Sequence, residues 1–492
     1  MDEELEEALD GCPPLEVVTR RGSPYVPEDL AKVNANFARR VIILHPRDEE
    51  RLDAEPDGTV GEGDSNDEEE ANFLRRQREE ARKATVVLNL LQEGVAGGGN
   101  ADLVVQMPIR LPTSHDLVRH ALQLTRRQEI LSGMVMEDDD TSRQYVQVHG
   151  TENTGKICAF SAFQPGAARL YEELLQQSDE TPEFYISLAP QFVGKTFGEA
   201  WRMLPQATLC GLSHADGTVE LAPGDKTIIK VDDEVVLLAE SSVVKISPPD
   251  EAAIPRSGSE SRYMRSLRTR VKQKPVNVLF AGFRSSSSVA VAMTTEMAPP
   301  GSTVTILAEN IPKSEMKKLK STRNCKVRVM KGVTTSYRDL LAAGVKDMDT
   351  IIIMPDRAAD PAEEDAEALA TVLQTDAICT EAAVAAPRVV AMLNTDSARA
   401  ILEGMTVVGD HSHQPDIIMS NNIIGGALLQ VSANPKLAGL FDALLGTEGH
   451  EAGSTSLVYA TRDFYYYHLL NSLSSLFIKG FIRGLRVKEK NY

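Results

Sequence analysis

Five carboxylates crowd one short stretch of this chain: Asp356, Asp360, Glu363, Glu364 and Asp365 follow the apolar run at 350–354. Such a run reads as a buried strand, and open α/β sheets bind ligands beyond the C-terminal ends of their strands. Hard oxygens suit Ca2+, which takes about six to eight of them. The same acids also suit a solvated first helical turn, where negative charge is favoured. A second candidate lies at 276–309, VNVLFAGFRSSSSVAVAMTTEMAPPGSTVTILAE. Gly282, Arg284 and Ser285 fall in a turn where a helix N-terminus could receive an anion. Glu309 ends the next strand, where a dinucleotide fold places an acid on a ribose. Helix capping by the serines at 285–288 and a plain strand end explain these residues equally well.

The elements that would position these groups are legible. Residues 276–281 form a short apolar run, the mark of a strand buried on both faces. Gly282 marks the turn, 289–297 can form a helix, Pro299, Pro300 and Gly301 stop it, and 303–307 is the next strand. The unit is strand–turn–helix–strand, the start of a Rossmann-like sheet. A dinucleotide fingerprint needs three glycines so that backbone can approach pyrophosphate. Here the second and third positions hold Arg284 and Ser287, which argues against bound NAD. Other polar clusters carry less. The acidic run at 137–140 lacks EF-hand spacing and its glycine. His411 and His413 could pair on a metal but have no third ligand near in sequence, so a polar loop is the simpler reading. No G-x-S-x-G, P-loop or H-E-x-x-H is present, which weighs against a hydrolase or kinase.

Composition narrows the class. The 492 residues carry a formal charge of −19, which disfavours a nucleic-acid surface. Cys12, Cys158, Cys210, Cys325 and Cys379 are scattered, with neither zinc spacing nor a disulfide framework, which fits a reducing compartment. No window of eighteen apolar residues exists, and the acidic N-terminus is not a signal peptide. The aromatic stretch at 464–482 is interrupted by polar residues and reads as an amphipathic helix.

The chain also repeats itself. Gly22 matches Gly332, Asp29 matches Asp339, Leu30 matches Leu340 and Ile43 matches Ile353, each 310 positions apart. Residues 151–175 match 421–445 without a gap at an offset of 270, with Gly155 on Gly425, Pro165 on Pro435 and Leu170 on Leu440. The acidic segment at 47–83 takes up much of the difference and reads as a disordered insert with a charged helical tail. Tandem duplication is the physical reading. The two matched helix–turn–helix segments then read as dimerisation surfaces, as intradomain core, or as both. The first copy has no strand–turn–helix–strand of its own, and the second copy's lobe would run to about position 510. The expectation is therefore a chain truncated at both ends, or one completed by another chain.

In the first copy, GSP at 22–24 before EDLAKV, VVQM at 104–107, QPGAARLYEELL at 164–175, the P-x-x-x-G-x-T-F at 190–197 and CGL at 210–212 resemble the CASTOR/POLLUX-type ion channels. In the second, LFAGFR at 279–284, APPGS at 298–302, LATVL at 369–373, IIMSNNIIGGALL at 417–429 and LFDALLGTEGHE at 440–451 resemble the family's second regulatory domain. The resemblance implies an α/β chain of two tandem Rossmann-like RCK domains with small α+β C-terminal lobes, its first and last elements truncated. The divisions expected are a first domain at 1–175, a lobe at 176–247, a linker at 248–274, a second domain at 275–445 and a truncated second lobe at 446–492. The resemblance further implies a non-enzymatic gating ring of four subunits that senses a ligand or Ca2+. The ring would pull on a cation pore absent from this chain, on the cytosolic or nucleoplasmic side of a membrane. The competing readings are an NAD(P)-binding oxidoreductase, and a scaffold that assembles without sensing.

Overall fold

The computed structural model describes residues 20–44, 85–90, 102–106, 145–175, 182–246, 274–408 and 415–446. A few positions between 120 and 131 are also described, and 205, 285, 312–314, 317, 318, 320, 323 and 356–359 are excepted. Two compact units emerge, 1–106 with 110–147, and 107–109 with 148–492.

In the first unit, α1 (Pro27–Lys32) carries Pro27 and the acids Glu28 and Asp29 in its first turn, where a missing N–H and negative charge cost least. Strand β1 (Arg40–Ile43) runs parallel to β2 (Asp102–Gln106), and β3 (Tyr145–Val148) completes a sheet ordered β1-β2-β3. Asp29 Oδ2 accepts from the Ser23 N–H at 2.8 Å, which folds the turn at Gly22 back over the helix.

The second unit opens with the helix pair α2 (Gly150–Phe163) and α3 (Ala167–Leu175). A small lobe follows: β4 (Glu183–Leu188), α4 (Phe197–Arg202), β5 (Thr208–Ser213), β6 (Val219–Leu221) and β7 (Glu234–Ala239). Its antiparallel sheet is ordered β4-β7-β5-β6 and closes on Phe192, Phe197, Leu209 and Leu212. Thr196 and Glu199 form a capping box at the start of α4, each satisfying the other's backbone N–H.

The lobe also holds a histidine set between two acids. His214 Nδ1 lies 2.8 Å from Asp233 Oδ1 and its Nε2 lies 3.5 Å from Glu220 Oε2. The hydrogen bond to Asp233 raises the imidazole above its ordinary range against the opposing effect of burial, helped by the charges of both acids. A histidine raised in the folded state contributes stability that is full below its unfolded value and lost as pH rises through its folded one. The stability gap between wild type and His214→Gln should therefore narrow as pH rises from 6 to 9, as measured by urea denaturation.

The rest of the unit is a doubly wound sheet. Its elements are β8 (Asn277–Ala281), α5 (Ser287–Met297), β9 (Ser302–Ala308), β10 (Cys325–Lys331), α6 (Tyr337–Ala343) and β11 (Thr350–Ile353). They continue with α7 (Pro361–Glu381), β12 (Arg388–Leu393), α8 (Asp396–Val408), β13 (Asp416–Met419), α9 (Ser420–Ala433) and α10 (Leu437–Leu444). All six strands are parallel in the order β10-β9-β8-β11-β12-β13. One face, with Leu279, Leu307, Ile351, Ile353 and Leu393, packs under α6, α7 and α8. The alternate residues Val278, Phe280, Ile352, Val390 and Ile418 are just as buried. Part of their cover is α5; the rest is α2 and α3 from the first copy, laid against β11, β12 and β13.

The approach is close enough to need glycine. A Cβ on Gly155 of α2 would sit 2.6 Å from the Ser286 carbonyl oxygen, and one on Gly426 of α9 would sit 2.3 Å from that of Leu175. Gln430 Nε2 donates to the Leu174 carbonyl at 2.9 Å, and the Tyr171 hydroxyl to that of Leu444 at 3.2 Å. The described cysteines are free and buried.

The repeat recurs in the coordinates. Helices α2 and α9 begin and end 270 positions apart, and β1 and β11 begin and end 310 apart. Asp339 Oδ2 accepts from the Val333 N–H at 2.9 Å beneath Gly332, the turn seen at Asp29 and Gly22. Ile42 of β1 is 42% exposed, whereas its counterpart Ile352 is fully buried. The reason lies in the neighbours: β11 is flanked by β8 and β12, while β1 is an edge strand among the described residues.

Candidate functional site

The strand order reverses between β8 and β11, which is where a doubly wound sheet opens its ligand crevice. Gly282 leaves β8 at φ +93°, and a Cβ there would sit 2.1 Å from the Met354 carbonyl oxygen. Only glycine allows the chain to turn this tightly beside β11. The turn then directs Arg284 into the crevice. Its Nη2 lies 2.7 Å from Glu364 Oε2, with both side chains nearly excluded from water. Glu364 also accepts from Asn394 Nδ2 at 3.0 Å. A guanidinium positioned to meet an anion is thus already neutralised by an acid from α7. Its Nε has no hydrogen-bond partner among the described residues. Cys158 of α2 lies within the field of Arg284, yet burial pushes its thiol up to about 12, so it is not a nucleophile.

The serines do not cap α5 by their side chains. Ser286 occupies the N-cap position without a side-chain hydrogen bond, and the Ser287 hydroxyl instead accepts from the Arg284 N–H at 2.9 Å. That bond fixes the turn which aims the arginine. The Ser288 hydroxyl is spoken for by Glu315. Glu309 ends β9 in solvent, and Ser285 lies outside the described residues.

The acids beyond β11 separate into three roles. Asp360 caps α7 by accepting from the Ala362 N–H at 2.9 Å. Glu363 is exposed on the first turn. Glu364 and Asp365 point inward, each 3% exposed, which sets them apart from any solvent-facing ligand set. Asp365 accepts from the backbone N–H groups of Asn394 at 2.8 Å and Thr395 at 2.9 Å, and from the Thr395 hydroxyl at 2.6 Å. It ties α7 to the start of α8. Asp356 lies outside the described residues, as do the acidic run at 137–140, His411 and His413. Among the described residues no group of three or more His, Cys, Asp or Glu is arranged to hold a metal ion.

Neither the Arg284–Glu364 pair nor the Asp365 tie is legible in the sequence. Arg284 and Glu364 lie 80 residues apart, and no spacing rule connects them.

This fold is similar to that of a solved gating ring. The human SLO3 gating ring superposes with a TM-score of 0.53 over 87% of this chain and 76% of that one, at 13% sequence identity. Residues 152–252 match the family described as "Castor and Pollux, part of voltage-gated ion channel". Residues 297–392 match "Calcium-activated potassium channel slowpoke-like RCK domain". In sequence the chain is similar to CASTOR/POLLUX-type ion channels. It is 26% identical over 369 residues to "Probable ion channel POLLUX" of Arabidopsis thaliana, covering 73% of this chain and 38% of that protein. It is 26% identical over 372 residues to "Ion channel CASTOR" of Lotus japonicus, covering 73% of this chain and 36% of that protein. The chain thus spans well under half the length of these relatives. No described helix is long and apolar enough to cross a membrane.

Proposed function

We propose that this chain is the ligand-responsive gating-ring region of a CASTOR/POLLUX-like cation channel, assembled as a homo-tetramer beside a membrane and acting without turnover. The observation that carries this reading is the interlock: the α2–α3 pair of the first copy covers the sheet of the second, so that movement of one copy is transmitted to the other. The first domain, lobe, linker, second domain and second lobe keep the divisions 1–175, 176–247, 248–274, 275–445 and 446–492 in this reading. A ligand acts by preferring one arrangement of the copies over another. Two routes enter the crevice. Ca2+ would be received by Asp356, Asp360, Glu363, Glu364 and Asp365, and would compete with Arg284 for Glu364. An anion would compete with Glu364 for Arg284, with Gly282, Ser285 and Glu309 as its other candidate residues.

The test is calorimetry with Ca2+ alone, paired with light scattering of the purified chain. A saturable heat that Mg2+ does not reproduce, lost in Asp356→Asn/Asp360→Asn, together with a tetramer mass, is the expected result. A monomer at all concentrations that takes up no Ca2+ would overturn the reading. An assembled ring whose Ca2+ heat survives the double substitution would move the ion elsewhere.

A further inference from the structure

The turn between α2 and α3, at 164–166, rests on the N-terminal edge of the second sheet. Three neighbouring strands hold it, two by side chains on the last turn of α2 and one on the turn itself. Thr350 of β11 donates to the Ala162 carbonyl at 3.3 Å, and Arg388 of β12 donates to the Ser161 carbonyl. Asp416 of β13 accepts from the Gly166 N–H at 2.8 Å. Thr350 and Arg388 are register partners, and Asp416 pairs with Val390, so all three project from the face that carries α2.

The third contact is unfinished. Asp416 is 4% exposed, and its Oδ2 has no hydrogen-bond partner, although a buried carboxylate ordinarily satisfies both oxygens. Arg388 stands near but gives its guanidinium N–H to Ser161, whose own hydroxyl is also buried without a partner. A carboxylate in this position is poorly compensated, and a carboxylic acid is not. We propose that Asp416 is a proton-operated latch, which holds the α2–α3 turn on the second sheet more firmly when protonated than when ionised.

Burial raises this carboxyl to about 6, against the opposing pull of Arg388 and of the Gly166 N–H. An acid raised in the docked state takes up its proton on docking and releases it when the turn lifts and water returns. Docking therefore strengthens as pH falls through about 6 and weakens above it. Other ionisable groups on the elements packed against β13 are engaged elsewhere. Lys156 pairs with Glu152 on α2, Arg169 with Glu173 on α3, and Glu172 with Arg399 of α8. Helix α9 carries no charged residue. The latch is independent of the channel reading, because docking is read directly and not through a current.

Hydrogen exchange of the intact chain at pH 5.5 and pH 7.5, corrected for intrinsic rates, tests it. Peptides spanning 164–175 should be about fourfold better protected at pH 5.5. Asp416→Asn should hold the higher protection at both pH values. Arg388→Gln, which removes the opposing charge, should move the midpoint to higher pH. Equal protection at the two pH values in the wild type would overturn the latch. So would a pH step that survives in Asp416→Asn, or one spread equally over β8 and β9.

Discussion

Arg284→Met costs the second unit about 3–5 kcal/mol in urea denaturation, because it strands the Glu364 carboxylate in a buried crevice. Glu364→Leu alone costs a similar amount by leaving the guanidinium uncompensated. The double variant recovers most of the loss, since two apolar side chains of similar volume replace a pair that had little net value. This pattern separates a plug from a simple stabilising bridge. Were the pair open to water, each single change would cost below about 1 kcal/mol, and the three variants would be additive. The double variant also bears on function, because it removes both charges that an entering ion must displace.

The second large effect concerns two adjacent glycines. Gly426→Ala is expected to destabilise the unit by about 3 kcal/mol, since its new methyl would lie 2.3 Å from the Leu175 carbonyl oxygen. That neighbour is backbone at the end of a packed helix and cannot swing aside. Gly425→Ala, one residue earlier on the same helix, meets nothing within 4 Å. It should stabilise by roughly 0.5–1 kcal/mol through helix propensity. Thermal denaturation of the two variants side by side checks both. Equal responses would contradict a close α3–α9 approach.

Much of the architecture was legible because it is written in local chemistry. The run at 276–281 could only be a buried strand, and Gly282 could only be a turn. The repeat was legible because Asp29 and Asp339 do the same local job beneath Gly22 and Gly332. The lobe's strands followed from alternation and turn residues. What escaped was decided by residues far apart in sequence. Nothing near 150–175 says which sheet this helix pair covers, one begun a hundred residues later. What the candidate acids do locally was not legible. Acids at a strand end read as ligands, whereas Asp360 caps a helix and Asp365 ties two helices together. Whether an acid faces solvent or a backbone N–H is fixed by the helix it starts and by what packs there.

The shared cover has a consequence for how the chain can be divided. Half of one sheet face is roofed by helices that precede it by more than a hundred residues. Cutting the connection near residue 260 would not free two independent pieces; they would remain clasped, as the parts of a split protein do. Producing the second half alone would leave Ile352, Val390 and Ile418 bare to water, and such a fragment should aggregate unless the segment at 148–175 is supplied in trans.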